Sequence, residues 1–315
     1  MRFIPSFFFM KKFILIAFRT ILGAIFLLSA FLKLFPVEPF ELNFIEMGVA
    51  NWLTAPFISR LLIGTEFFLG ILILAGVGLK RFTLPASLAL LLFFSIYLII
   101  QLILSGNKGD CGCFGIYFQM TPLQSIIKNV GLILMTILLW KISGEKSYRF
   151  QRAIIIAIAL VSIALPFILN PVDFFYSKNL RPEAVNFLLP KDLILEKNKF
   201  GVPPVDLFQG KHIVAFMTLT CPHCRQAALK IHVIHKRYPE VSFFFFLNGK
   251  DEDLDDFFSA TKSEDIPHMK MNADPFAKLT GGVWPAIWWV ENGTVLKKSV
   301  YYTLNEDELL DWWNK

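Results

Sequence analysis

The first half of the chain is a series of long apolar stretches separated by short polar loops. A helix needs about 20 apolar residues to cross the hydrocarbon core of a bilayer. We therefore predict five transmembrane helices, the first of them a retained anchor, since no small-residue cleavage site follows its apolar core. The five stretches are 13–35, 57–79, 84–104, 122–141 and 152–169.

From residue 211 the pattern changes to short apolar strands that alternate with amphipathic helices. Strands are predicted at 211–219 and 241–249, with a helix at 223–237 between them. An Asn-Gly pair divides 283–302 into two strands, which is typical of a β-hairpin. Further helices are predicted at 251–262, at 273–282 and at the C-terminus. This order predicts an α/β fold, a βαβ unit followed by a hairpin and a helix.

The composition agrees with a membrane part and a globular part. Of the 315 residues, 55% are hydrophobic and 18% are charged, which is too apolar for an ordinary soluble protein. The net charge of +6 comes without a basic stripe interleaved with aromatic residues, so we exclude a nucleic-acid partner. The predicted domains are a four-helix membrane domain at 1–145, a fifth tether helix at 146–170, a linker at 171–205 and the α/β domain at 206–315.

The basic residues of the loops indicate an orientation in the membrane. Cytoplasmic loops carry an excess of Lys and Arg, and eight such residues fall on one side if all five stretches cross. The other side has only Lys108 before the fifth stretch. We therefore expect a multi-pass protein of the inner membrane, with a cytoplasmic N-terminus and a periplasmic C-terminal domain. The eight residues are Lys11, Lys12, Lys80, Arg81, Lys141, Lys146, Arg149 and Arg152.

Two of the four cysteines lie at the start of the helix predicted at 223–237, in the sequence Cys221-Pro222-His223-Cys224. The thiolate is the reactive form of cysteine, and a helix N-terminus stabilises negative charge. Cys221 is therefore the predicted exposed nucleophile, and Cys224, one turn later, the predicted resolving thiol. His223 adds a donor or a positive charge, which favours the thiolate and hence the reduced form.

Two other interpretations of this pair were weighed. A zinc site needs a second pair of ligands, and we expect no metal site. A structural disulfide between such close neighbours closes a very small loop and stabilises little. Redox chemistry is the interpretation that the position of the pair favours.

The combination of a buried strand, CPHC, a helix and a later Trp284-Pro285 step resembles the thioredoxin fold, and in particular the periplasmic Dsb-type oxidoreductases. The resemblance covers about residues 200–315. It implies that Pro285 is cis and that the backbone of Trp284 pairs with a substrate strand, so that Pro222, His223, Trp284 and Pro285 bind substrate. One residue departs from the pattern, since Thr220 replaces the usual Trp.

The other two cysteines, Cys111 and Cys113, lie in the loop sequence GDCGCFG after the third apolar stretch. A disulfide between them would close a small, strained ring, in which Gly112 relieves part of the backbone cost. Such a disulfide is easily reduced, which suits a transient exchange partner. The alternatives are unrelated free cysteines or a lipidated pair, although palmitoylated cysteines usually lie on the cytoplasmic side.

The membrane stretches resemble the DoxX-like and MauE-like four-helix membrane proteins over about residues 12–142. MauE is associated with the maturation of methylamine dehydrogenase, an enzyme with many disulfides. The more specific part of the resemblance is CGCFG with the TP…KN sequence after it. The positions that carry it are Arg19, Gly23, Lys33, Glu66, the CGCFG run and Asn129.

Arg19, Lys33 and Glu66 are ionisable residues within the apolar stretches, where burial in lipid is costly. We expect Lys33 to snorkel to the outer face, and Arg19 to snorkel to the inner face or to pair with Glu66. The alternative is a functional role, such as tuning a buried redox group.

Together these features predict a membrane-anchored thiol–disulfide oxidoreductase acting on extracytoplasmic protein thiols or disulfides. The linker of some 35 residues could extend about 100 Å, which would let Cys221 reach the Cys111–Cys113 pair. We expect no covalently bound cofactor; a quinone is a conceivable electron carrier, although no residue of the sequence demonstrates one. The direction of electron flow is left open. The main alternative is a non-catalytic scaffold or maturation chaperone, and a transporter is a weaker one.

Overall fold

The computed structural model describes residues 5–107, 120–144, 150–172 and 181–315, with side chains from residue 12 onward, Ser105 excepted. The chain divides into two compact units, Met1–Val172 and Asp173–Lys315. The loop that contains Cys111 and Cys113 lies outside the described residues, so the prediction of a disulfide there stays a prediction.

The first unit is helical. Among its described residues, five helices are long and apolar enough to cross a membrane, which confirms the predicted number of apolar helices. A π-helical turn at Leu79–Thr83 leads into the third of them. The helices are α1 (Pro5–Leu34), α2 (Glu38–Glu46), α3 (Ala55–Ala75), α4 (Leu84–Ser105), α5 (Pro122–Ile142) and α6 (Gln151–Leu169).

The short helix α2 was not predicted, because its nine residues, three of them Glu, are too few and too polar to form a long apolar run. Phe40 and Phe44 on this helix are buried in a cluster with Phe94 and Tyr97 of α4. An ion pair of 2.5 Å between Glu41 Oε1 and Arg60 Nη1 also joins α2 to α3. The segment between the first two membrane helices is therefore packed onto the helical unit.

Glycines allow the long helices to approach closely, as is common in membrane bundles. A Cβ atom at Gly23 of α1 would lie 3.1 Å from the carbonyl oxygen of Gly70 on α3. A Cβ atom at Gly64 of α3 would lie 2.8 Å from Cα of Ile163 on α6. The fifth membrane helix is thus an integral part of the bundle and not only the tether that the sequence suggested.

The second unit, described from residue 181 onward, is built on a sheet with six strands in that range. Strands β2, β3 and β4 are parallel, with β4 at one edge of the sheet. Strand β5 runs antiparallel to β2 on the other side, and β6 and β1 extend the sheet antiparallel beyond it. The strands are β1 (Glu183–Leu188), β2 (Lys211–Thr218), β3 (Phe243–Asn248), β4 (His268–Lys270), β5 (Ala286–Glu291) and β6 (Thr294–Ser299), in the order β1-β6-β5-β2-β3-β4.

Helices cover both faces of this sheet, because the central strands are apolar along their whole length. Phe243 of β3 contacts His235 on one face, with ring centroids 5.8 Å apart. Phe216 of β2 contacts Phe276 on the other face, at 6.2 Å. The fold-class prediction, a helical membrane part followed by a thioredoxin-like α/β part, is confirmed. The helices of this unit are α7 (Pro222–Arg237), α8 (Leu254–Thr261), α9 (Ala273–Thr280) and α10 (Glu306–Trp313).

The predicted linker at 171–205 needs correction. Within it, β1 pairs with β6 in the sheet, and Leu189 and Ile194 are buried in the core of the domain. The folded domain therefore begins well before residue 206. An edge strand with one solvated face carries a weak hydrophobic pattern, which is why the sequence did not reveal it. The three-residue strand β4 was missed because it is so short.

Candidate active site

The CPHC sequence lies where β2 ends and α7 begins. Cys221 is the residue before the helix, with an extended backbone at φ −76° and ψ 123°, and Pro222 takes the first helical turn. Proline is favoured there because its missing N–H is not needed by the helix. Cys221 is partly exposed, Cys224 is buried, and both are free thiols. The exposed thiol precedes the helix and the buried one lies inside its first turn, as the predicted order of attack requires.

The sulfur of Cys224 has little access to solvent and one close backbone donor. Thr218 donates its N–H to Cys224 Sγ at 3.3 Å. Burial raises the pKa of the Cys224 thiol from 9.0 to about 12, against the opposing effect of the Thr218 hydrogen bond. At neutral pH Cys224 is therefore protonated, and it must lose its proton as it attacks.

His223 is exposed between the two cysteines and lies against Tyr301. The two rings are nearly parallel, with an angle of 21° and centroids 6.2 Å apart. The carbonyl oxygen of Tyr301 accepts a hydrogen bond of 2.8 Å from Lys230 Nζ on α7. Burial lowers the pKa of Lys230 from 10.5 to about 8, although Glu306 favours its charged form. Sequence reasoning missed both Tyr301 and Lys230, because neither belongs to a recognisable motif.

The Trp284–Pro285 peptide is cis, as the resemblance implied. Its position follows from the sheet register, in which Phe216 of β2 lies opposite Ala286 of β5. The residue before Ala286 is therefore at the end of the sheet where β2 leads into Cys221. Trp284 is exposed there. The structure thus brings the predicted substrate-binding residues to the end of the sheet that carries the cysteines, while their contact with substrate stays a prediction.

The membrane unit contains a buried ion pair whose two partners differ from those that the sequence predicted. Lys33 was expected to snorkel outward, but its side chain is 3% exposed and Nζ lies 2.5 Å from Glu66 Oε1. Helical side chains tilt toward the N-terminus of their helix, which directs Lys33 back into the bundle. Lys33 also donates to Ser29 Oγ at 3.1 Å. Its ammonium group lies 4.7 Å from the centroid of the Phe94 ring.

Arg19 does not take part in this pair. It lies fourteen residues before Lys33, about 21 Å along a helix, and its guanidinium group approaches Gly76 at the end of α3. A cation is favoured there, because the unpaired carbonyl groups give a helix C-terminus partial negative charge. The proposed pairing of Arg19 with Glu66 is therefore wrong, and Glu66 pairs with Lys33 instead.

Comparisons with known proteins agree with this two-part organisation. Residues 11–142 match the family model of the methylamine utilisation protein MauE, which confirms the MauE-like resemblance of the membrane unit. Protein TlpB of Flavobacterium psychrophilum is 29% identical over an alignment of 346 positions, gaps included, which covers 93% of each chain.

Two solved structures show similarity to part of the chain. One is a thiol:disulfide interchange protein from a Bacteroides species, at 14% identity and a TM-score of 0.33, covering 43% of this chain and 91% of that one. The other is a secreted disulfide oxidoreductase of Mycobacterium tuberculosis homologous to E. coli DsbE, at 18% identity and a TM-score of 0.29, covering 34% and 83%.

Proposed function

We propose that the protein is a membrane-anchored thiol–disulfide oxidoreductase that acts on protein thiols or disulfides outside the cytoplasm. The observation that carries this proposal is the asymmetry of the CPHC pair, with Cys221 accessible at the N-terminus of α7 and Cys224 buried beside Thr218. The cis Trp284–Pro285 step lies at the same end of the sheet, with Trp284 exposed and Pro285 buried. It offers a backbone beside which an extended substrate can bind.

The exchange follows from these positions. The Cys221 thiolate attacks a substrate disulfide, forms a mixed disulfide and expels one substrate thiolate. The Cys224 thiol then gives up its proton and attacks Cys221 Sγ, which closes the CPHC disulfide and releases the second substrate thiolate. Two electrons pass from the domain to the substrate. The reverse sequence oxidises a substrate dithiol, and the geometry serves both directions.

The proposal extends to the orientation of the membrane unit and to the role of its cysteine pair. We propose that the protein lies in the inner membrane with its C-terminal domain in the periplasm, as the excess of Lys and Arg in alternate loops supports. In this orientation the Cys111–Cys113 loop and the CPHC sequence are on the same side. We further propose that the two cysteine pairs exchange disulfides, so that the membrane unit sets the redox state of the attached domain.

The test is to trap the intermediate in the full-length protein. In a Cys224→Ser variant, a mixed disulfide of Cys221 with Cys111 or Cys113 is expected, detected by mass spectrometry after thiol blocking. The matched control is Cys221→Ser/Cys224→Ser, in which no such species can form. If the trapped species is absent and a Cys111→Ser/Cys113→Ser variant keeps full activity, the exchange between the pairs is excluded. A scaffold or chaperone role would instead leave function intact in Cys221→Ser.

A further inference from the structure

A polar cavity lies within the membrane unit. Its volume is about 30 Å³, and it is partly open. Apolar side chains from α1, α4 and α5 form most of its wall, Phe26 and Phe94 among them. Its polar lining consists of Ser29, Lys33, Glu66, Lys128 and Asn129.

Four of these five polar residues are buried at a depth where polarity is costly, and Lys128 is half-buried. Lys33, Glu66 and Asn129 are each no more than 5% exposed. Asn129 lies seven residues into α5, about 10 Å from its start, and Glu66 lies eleven residues into α3, about 16 Å from its start. Polar and ionisable residues at such depth usually mark a site or a pathway. The cluster therefore requires an explanation beyond helix packing.

The lining favours a ligand that carries electron-rich oxygen. Lys33 and Lys128 contribute two ammonium groups against the single carboxylate of Glu66, and Asn129 contributes an amide. Asn129 Nδ2 donates a hydrogen bond of 3.3 Å to Ser95 Oγ on α4. This bond fixes the orientation of the amide. The aromatic rings of Phe26 and Phe94 offer flat apolar surface next to these donors. A planar ring with carbonyl oxygens satisfies both features.

We propose that this cavity binds a ring carbonyl of a membrane quinone, which serves as the electron acceptor of the proposed oxidoreductase. The volume admits a carbonyl group and not a whole ring, so the ring lies at the opening of the cavity. A hydrophobic tail then remains in the lipid. This inference rests on the proposed function, which supplies the dithiol to be oxidised.

The reaction balances between a protein dithiol and the quinone. Two cysteine thiols form one S–S bond and release two protons and two electrons. The quinone takes up both, and its two carbonyl groups become the hydroxyl groups of the quinol. Because dithiols are stronger reductants than lipid quinols, electrons flow from the protein thiols to the quinone. The periplasmic domain is then kept oxidised, and it acts as a donor of disulfides.

The test uses the full-length protein in nanodiscs made from quinone-free lipid, under anaerobic conditions. Oxidation of a dithiol peptide is followed with decyl-ubiquinone or menadione as the added acceptor. One quinol is expected for each disulfide formed, with no turnover in the absence of quinone. Turnover at the same rate without quinone would overturn the proposal.

Two variants locate the quinone in the cavity. Asn129→Leu and Lys128→Met each remove one donor without leaving the Lys33–Glu66 pair incomplete. Each should raise the KM for quinone about tenfold, because the bound carbonyl then loses one hydrogen bond. The control is Thr136→Val on the same helix, whose hydroxyl bonds only to Leu132 O among its described contacts; it should keep the native KM. A native KM in both donor variants would exclude this cavity.

The same preparations separate this inference from the proposed function. Exchange of Cys221 with glutathione disulfide needs no quinone, and Cys221→Ser should abolish it. If this exchange is intact while quinone has no effect, the quinone site is overturned and the oxidoreductase stands. If the native protein shows no exchange with glutathione disulfide, the proposed function itself fails.

Discussion

The two units differ in how they accommodate buried ionisable groups. In the membrane unit, Lys33 and Glu66 are both buried, and each has the other as a partner at 2.5 Å. In the α/β unit, Cys224 is buried beside a backbone N–H, and burial raises its pKa to about 12. A buried ionisable group keeps its charge when a counter-charge is built beside it, and otherwise becomes neutral.

This difference determines what each site can do. A paired charge in lipid is a fixed polar feature, which can orient a ligand but is costly to disturb. A neutral buried thiol is a latent nucleophile, protected until the mixed disulfide forms next to it. The membrane unit thus depends on both partners being present, and the CPHC site depends on the unequal exposure of its two sulfurs.

The largest predicted effect concerns the unequal reactivity of the two thiols. At pH 8, a pKa near 12 in place of 9.0 lowers the thiolate population of Cys224 about a thousandfold. Brief iodoacetamide treatment of the reduced protein should therefore modify Cys221 and spare Cys224, as peptide mass spectrometry would show. Equal labelling of both residues in the folded protein would contradict the asymmetry, with urea-unfolded protein as the control in which both react.

The pH dependence of stability has a defined sign. The folded pKa of Cys224 is raised, so unfolding makes the thiol more acidic. The stabilising contribution of the protonated thiol is complete below pH 9 and is lost as the pH rises from 9 toward 12. Chemical unfolding of the reduced protein, compared with Cys224→Ala over this pH range, would show the difference.

The next prediction concerns the loss of the ion pair in the membrane unit. Lys33→Met or Glu66→Leu leaves one charge buried without its partner, which should lower the free energy of unfolding by about 3–5 kcal/mol. The double variant Lys33→Met/Glu66→Leu removes both charges and should recover most of this loss. Thermal unfolding in detergent measures all four proteins. Additive losses in the double variant would show that the two residues do not stabilise each other.

A further prediction concerns the close approach of the fifth membrane helix, α6, to α3. Gly64→Ala places a Cβ 2.8 Å from Cα of Ile163, whereas a Cβ at Gly131 of α5 meets nothing within 4 Å. Gly64→Ala should destabilise the protein by about 1–3 kcal/mol. Gly131→Ala should leave stability unchanged or raise it by up to about 1 kcal/mol, because alanine favours helix. Equal melting temperatures for the two variants would mean that α6 does not pack against Gly64.

The sequence was informative where a pattern extends over many residues. Five apolar runs predicted five helices, and the apolar strands around Cys221 predicted the central sheet. Short or one-sided elements gave no such signal. Helix α2 has only nine residues, and β1 is an edge strand that alternates between exposed and half-buried positions.

Side-chain partners were harder to predict than helices and strands. Glu66 was recognised as unusual within an apolar helix, but its partner depends on the depth at which α1 crosses α3 and on the direction of the Lys33 side chain. Arg60, whose Nε donates to the carbonyl oxygen of Asn170 at 2.6 Å, was not singled out at all. Contacts between residues over a hundred positions apart are fixed by packing, which one sequence does not display.

The smallest predicted effect tests whether the CPHC site depends on anything beyond its two cysteines. Tyr301→Leu removes the ring that lies against His223, and the lost aromatic contact is worth about 0.5–1.5 kcal/mol. If this ring holds His223 where its donor group favours the reduced form, the loss of the contact enters the redox equilibrium with glutathione. The equilibrium should then shift toward the disulfide form by up to about two- to tenfold, since 1.4 kcal/mol corresponds to a factor of ten. Tyr301→Phe keeps the ring and should behave as the native protein. If Phe and Leu at this position shift the equilibrium equally, the ring contact does not position His223, and the phenolic hydroxyl becomes the group to examine.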